Sequence, residues 1–133
     1  VTDPIATVAD CMPADLVTLS PDVEIVRAVA ILLDHEVSGA CVLDAAGQLV
    51  GVLSKRDCLK AALNASYHKD WGGVVADYMS RDLETLEADL DIVGAAERMI
   101  ASPYRRFPVT RAGRFVGQVS RTDILEALSA QWR

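Results

Sequence analysis

Aromatic side chains are scarce in this 133-residue chain: two Phe, two Trp and three Tyr. With so few rings, Trp71 and Tyr104 are read as covering core edges or an interface rather than stacking on a base. Cys11, Cys41 and Cys58 are odd in number and lack the paired short spacing of a zinc or redox site, so they are expected to be reduced. Cys41 sits in an apolar run and reads as a small core residue. His35 and His68 lie far apart without a partner at metal-ligand spacing, so no metal is expected. No apolar run approaches the roughly 20 residues of a membrane span, and the N-terminus lacks a basic-then-apolar signal pattern. A soluble, cytoplasmic protein is expected. The first residue is Val rather than Met, which leaves open a longer parent with an attached domain.

With 51% hydrophobic and 24% charged residues, neither disorder nor a disulfide scaffold fits. The length suits one ordinary domain or two very small units sharing a core. A net charge of -6 and a pI near 4.8 argue against nonspecific nucleic-acid binding, which draws affinity from Lys and Arg neutralising phosphates. That average hides an asymmetry. Residues 1–97 carry 17 acids and 6 bases, whereas residues 98–121 carry six arginines and no acid. A small anion could be held there; a solvated basic face is the plain alternative.

The chain repeats itself. At a shift of 67, Val8, Ala9, Asp10 and Met12 meet Val75, Ala76, Asp77 and Met79, and Thr18-Leu19 meets Thr85-Leu86. Near Asp44 the shift drops to 66, as a one-residue deletion in a turn would cause. Gly47, Gly51, Ser54 and Asp57 then meet Gly113, Gly117, Ser120 and Asp123. Two copies fill the chain, one over 1–66 with the start of a linker and one over 67–133.

In copy one, Leu16–Leu19 reads as a strand and Ser20-Pro21 as a helix entry, with Asp22–His35 helical. Val26, Val29, Ala30 and Leu33 recur at three and four residues, which predicts that this stripe faces a core. Residues 39–43 and 49–53 read as a hairpin, and a second helix starts at Ser54. Copy two gives a strand at 83–86, a helix at 89–101 ended by Pro103, a hairpin of 106–110 with 114–119, and a helix at 120–130. Residues 64–73 form the connection. Each unit is β-α-β-β-α, an α/β (α+β) class in which a unit this small needs its twin to cover its sheet.

The segment most suited to chemistry is Gly51-Val52-Leu53-Ser54-Lys55-Arg56-Asp57, repeated as Gly117-Gln118-Val119-Ser120-Arg121-Thr122-Asp123. Each copy stands where a strand enters a helix, whose unpaired N–H groups and positive dipole end suit phosphate, and a glycine nearby permits close approach. Ser followed three residues later by an acid is equally a capping box. Met12 and Met79 read as packing residues, and Thr18 and Thr85 suit ordinary strands.

Taken together, the Met-ending preambles, the Thr in the first strand and the duplicated Gly-h-h-Ser-x-x-Asp exit (h apolar, with Gln118 departing from it in the second copy) resemble the CBS-domain pair, or Bateman module. The resemblance covers nearly the whole chain. It implies two pseudo-symmetric units packed through their sheets, with two clefts for adenosyl compounds: AMP, ADP or ATP, less readily S-adenosylmethionine. It further implies a non-catalytic regulatory or energy-sensing role, commonly as a homodimer, acting on a partner protein or a missing attached domain. Carried onto this chain, one cleft would join Ser54, Lys55, Arg56 and Asp57 with Leu83, Thr85, Arg105, Arg106 and Pro108. The other would join Ser120, Arg121, Thr122 and Asp123 with Leu16, Thr18, Ser38, Gly39 and Cys41. The aspartates would grip ribose, and the serines and bases would face phosphate. The first cleft gathers more positive charge and is expected to be the stronger; Cys41 stands where copy two has Pro108. No nucleophile has a nearby His, so no enzyme is expected. A dimerisation or protein-interaction module that binds no nucleotide, its Ser-x-x-Asp segments serving only as caps, is the competing reading.

Overall fold

The computed structural model describes residues 6–104 and 106–132. The elements run α1 (Val8–Cys11), β1 (Thr18–Leu19), α2 (Ile25–Asp34), β2 (Gly39–Leu43), β3 (Leu49–Ser54) and α3 (Lys55–His68). The order then repeats as α4 (Val75–Tyr78), β4 (Leu86–Glu87), α5 (Ile92–Ala101), β5 (Arg106–Arg111), β6 (Arg114–Ser120) and α6 (Arg121–Gln131). Each half is a mixed α+β arrangement around one three-stranded sheet, β1-β2-β3 or β4-β5-β6. In both sheets the first pair is parallel and the hairpin antiparallel.

The compact units do not coincide with the repeats along the chain. One unit is Val17–Leu83; the other combines the described part of Val1–Leu16 with that of Glu84–Arg133. The preamble helices are therefore exchanged. In the first unit, the Val75 and Ala76 amides donate to the Val23 and Pro21 carbonyls at 2.9 Å each, and the Ile25 amide donates to the Gly73 carbonyl at 3.1 Å. In the second, the Val8 and Ala9 amides donate to the Leu90 and Ala88 carbonyls at 2.8 and 2.9 Å, and the Ile92 amide to the Ala6 carbonyl at 3.1 Å. These bonds correspond one to one at the repeat shift of 67.

The exchange explains where the helices begin. The expected helix at 22–35 starts only at Ile25, because the Pro21 and Val23 carbonyls are engaged by α4 and the chain turns there instead. Likewise α5 starts at Ile92 rather than 89, where Asp91 caps it by accepting the Gly94 amide at 2.7 Å. The leading strands are shorter than the apolar runs that predicted them: β1 is Thr18–Leu19, with Leu16 outside it and exposed, and β4 is Leu86–Glu87 rather than 83–86. The expected connection at 64–73 is shortened because α3 continues to His68, ending where Lys69 turns left-handed at φ 57°.

Each unit has its own core. Leu19, Ile25, Ala28, Leu32, Val42 and Leu53 are buried in the first, with Val75 and Met79 contributed by the preamble of copy two. Leu86, Ile92, Phe107, Val109 and Val119 are buried in the second, with Val8 contributed by the preamble of copy one. Of the predicted core stripe of α2 only Val29 packs against the core. Ile25, Ala28 and Leu32 point inward, whereas Val26 and Leu33 are 43% and 60% exposed. The helix is apolar on more than one side, so its periodicity could not say which stripe is covered.

Candidate functional site

Ser54 ends β3 and caps α3, a junction set by the sequence itself: a β-rich run stops at a residue that can cap, and an acid follows at N3. The Asp57 amide donates to Ser54 Oγ at 3.2 Å, while the Ser54 amide and hydroxyl donate to Asp57 Oδ2 at 2.8 and 2.9 Å. Ser120 and Asp123 repeat the box on α6: the Ser120 amide donates to Asp123 Oδ2 at 2.8 Å, and the Asp123 amide to Ser120 Oγ at 3.3 Å. In both boxes one carboxylate oxygen does the capping. Oδ1 of Asp57 and of Asp123 takes no hydrogen bond from the described residues. Both aspartates are half-buried in the first turn of a helix.

Around each serine the sheet register sets the neighbours. Gly39 stands opposite Ser54, and Thr18 opposite Cys41, which in turn faces Val52. Side chains two apart on a strand share a face, so Thr18, Gly39, Cys41 and Ser54 lie on the side of the first sheet away from Ala40, Val42 and Leu53. In the second unit Arg106 stands opposite Ser120 and Pro108 opposite Gln118, again on the face away from Phe107 and Val109. Thr85 immediately precedes β4. The register thus sets each Ser-x-x-Asp start beside strand residues of its own unit: Ser54 with Thr18, Gly39 and Cys41, and Ser120 with Arg106 and Pro108. Arg105 lies outside the described residues.

The basic residues divide by their partners. The Arg121 guanidinium donates to the Ser102 carbonyl at 3.0 Å, tying the start of α6 to the end of α5. Lys55, at the matching position of α3, lies along a groove with Val29 and Leu33 of α2. Arg56 and Thr122 are exposed on the first turns, and Arg56 makes no ion pair or hydrogen bond with the described residues. Leu83 is half-buried, whereas Leu16 and Ser38 are exposed. Two thiols lie near the aspartates. Burial and then the Asp57 charge push the Cys58 thiol above its ordinary value; burial, then Asp10 and Asp123, do the same for Cys11. Both are held protonated and act as packing groups rather than nucleophiles. Among the described residues no three His, Cys, Asp or Glu side chains gather as a metal group, and no helix is long and apolar enough to cross a membrane.

The motif glycines have a use that close approach to phosphate does not describe. A Cβ on Gly51 would stand 2.5 Å from Met79 Sδ, and one on Gly117 would stand 2.8 Å from Met12 Sδ. Each glycine is the socket for the preamble methionine of the other repeat. The signal was present in the sequence, since Met and Gly recur together in both copies, but their pairing across copies depends on the exchange.

The family model described as CBS domain matches residues 8–64 and again residues 75–130. An uncharacterized protein of Methanocaldococcus jannaschii is 29% identical over 125 residues, which cover 94% of this chain and 44% of that protein. An uncharacterized 17.7 kDa protein of Acidianus ambivalens is 29% identical over 111 residues, covering 83% of this chain and 65% of its own length. The chain thus spans less than two thirds of either relative. Among solved structures, CBSX2 in complex with AMP has a TM-score of 0.83 at 28% identity, with 96% of this chain and 98% of that one covered. The CBS domain pair of protein MJ0100, in complex with 5′-methylthioadenosine and S-adenosyl-L-methionine, has a TM-score of 0.80 at 25% identity, covering 96% and 99%.

Proposed function

This chain belongs to the CBS-domain family, and from that premise we propose that it is a regulatory module that binds an adenosyl ligand and performs no catalysis. The ligand is AMP, ADP or ATP, with S-adenosylmethionine ranked below them. Binding reports the cell's adenylate state in the cytoplasm to a partner protein or an attached domain, and the working form is a homodimer. The relatives whose structures hold AMP or S-adenosyl-L-methionine support the ligand class.

The observation that carries the reading is the open Oδ1 of Asp57 and Asp123. A capping box needs one carboxylate oxygen, and here the second, on a half-buried group at a helix start, is left for ribose hydroxyls in both repeats. Ser54 and the first-turn amides of α3 then face phosphate, assisted by Arg56. The resemblance grouped Arg106 and Pro108 with Ser54, and Thr18, Gly39 and Cys41 with Ser120; the sheet register supports the reverse grouping, with Thr18, Gly39 and Cys41 bordering the Ser54 site and Arg106 and Pro108 the one at Ser120, Thr122 and Asp123. The Asp57 site is the stronger, since Arg121 is already committed to the Ser102 carbonyl whereas Arg56 is not.

Thermal unfolding against AMP, ADP, ATP, S-adenosylmethionine and NADH tests the proposal, because a ligand that binds only the folded state raises its apparent stability. We expect a concentration-dependent rise with an adenosyl compound, reduced more by Asp57→Asn than by Asp123→Asn. Asn retains an acceptor oxygen for the cap, so the loss reads the second oxygen rather than the fold. No shift at millimolar ligand overturns the proposal, and equal losses overturn the ranking of the sites.

A further inference from the structure

The fold sorts the arginines of residues 98–121. Arg121 is bound to the Ser102 carbonyl, Arg106 keeps a partner within the protein, and Arg98 lies exposed on α5. Arg111 and Arg114 stand directly opposite each other across the β5–β6 hairpin. Opposed residues of an antiparallel pair share a face with Cβ atoms about 5 Å apart, and like charges so placed destabilise the sheet. Both side chains are exposed, and neither guanidinium makes an ion pair or hydrogen bond with the described residues. Glu87, on the neighbouring strand β4, does not relieve them. It accepts the Thr110 hydroxyl at 3.1 Å, and Thr110 alternates with Arg111 to the other side of the strand.

The turn fixes this juxtaposition. Ala112 and Gly113 are both left-handed, at φ 52° and 78°, the two-residue geometry that keeps the flanking strand residues paired. The first hairpin has nothing comparable: Leu43 and Leu49 take the last opposing places, and Asp44 binds the loop amides. The arginine pair also lies apart from the Ser120 site. Arg114 begins β6 and Ser120 ends it, which separates them by roughly 20 Å along the strand.

We propose that Arg111 and Arg114 form an oxyanion clamp at the tip of the second hairpin, which takes a phosphate monoester dianion. A carboxylate offers two oxygens and one charge, enough for one guanidinium. A phosphate monoester offers three terminal oxygens and a charge approaching −2, enough to bridge both and to offset their repulsion. A phosphodiester, with one charge, leaves the pair unbalanced, and the net charge of -6 opposes a polyanion. The group arrives either as small free phosphate or on a phosphorylated side chain of a partner, since both present the same chemistry. The clamp is independent of the adenosyl reading.

Two-dimensional NMR titration of the full chain tests it, with inorganic phosphate and a phosphoserine peptide as probes and sodium chloride at matched ionic strength as the control. Saturable shifts of the Ala112 and Gly113 amides and the arginine side chains are expected with both phosphates and not with chloride. Arg111→Gln and Arg114→Gln are each expected to raise the apparent dissociation constant about fivefold. A tighter response to the peptide assigns the clamp to a phosphorylated partner, and an equal one assigns it to free phosphate. Arg114→Glu sets opposite charges across the turn, so it is expected to raise the midpoint of thermal unfolding while abolishing the phosphate response. A hairpin that answers chloride as it answers phosphate, or a phosphate response confined to the first turns of α3 and α6, overturns the clamp. A lower midpoint for Arg114→Glu overturns the repulsion on which it is built. Shifts at those helix starts with AMP judge the adenosyl reading separately.

Discussion

Gly51 and Gly117 show how much can depend on one absent methyl group. A Cβ at Gly51 would meet Met79 Sδ at 2.5 Å and the Ser80 carbonyl oxygen at 3.0 Å, whereas at Gly117 the near atoms all belong to the flexible Met12 side chain, beginning at 2.8 Å. Backbone cannot retreat as a thioether can, so the two sites should respond differently. Gly51→Ala is expected to destabilise the first unit by about 2 kcal/mol and Gly117→Ala the second by about 1 kcal/mol. Urea unfolding measures both, and Met79→Ala combined with Gly51→Ala should recover part of the loss as a coupled pair. Equal costs would mean that the Ser80 backbone is free to move.

The hairpins show how an element's sequence sets its geometry. In the first, the Asp44 side chain accepts the Ala46 and Gln48 amides at 3.0 and 2.9 Å and closes a loop that ends with Gly47 at φ 79°. In the second, Ala112 and Gly113 make a two-residue turn with both φ positive, at 52° and 78°. Alanine is a poor choice there, because its Cβ crowds the left-handed region that Asn tolerates. Ala112→Asn should therefore raise stability by about 0.5–1 kcal/mol in thermal unfolding, with the β5–β6 register unchanged. The one-residue drop in the repeat shift near Asp44 was legible as a turn deletion; both capping boxes, both hairpins and the β-α-β-β-α order were legible too, whereas the preamble helices α1 and α4 were not foreseen. What was not legible has a shared cause. Helix starts at 22 and 89 were misplaced because the preceding carbonyls bond to a preamble far away in sequence, and the inward face of α2 was misread at Val26 and Leu33 because they are as apolar as Ile25, Ala28 and Leu32. The Ser-x-x-Asp segments were legible as a motif, but the sheet register that sets Arg106 opposite Ser120, where the resemblance had grouped it with Ser54, is a tertiary fact.

At the scale of the whole molecule, the exchanged preambles make residues at the start of the chain part of the core at its end. Val8 is fully buried among Leu86, Ile92 and Phe107, and its amide bonds to the Leu90 carbonyl at 2.8 Å. Removal of residues 1–12 should consequently weaken the second unit while sparing Val17–Leu83, whose own preamble is internal. Hydrogen exchange reads this directly: protection is expected to fall over α5, β5 and β6 and to persist over α2, β2 and β3. Uniform loss would show that the two cores melt together.

The same exchange bears on ancestry. Each repeat carries a preamble that seats against the other repeat's strand rather than its own, so two single-repeat molecules could each have lent theirs to the other. Gene duplication would then have converted a reciprocal loan between molecules into one within a chain, fixing as covalent linkage what had been association. The methionine-in-glycine joints at Met12–Gly117 and Met79–Gly51 would be the seams of that older swapped pair.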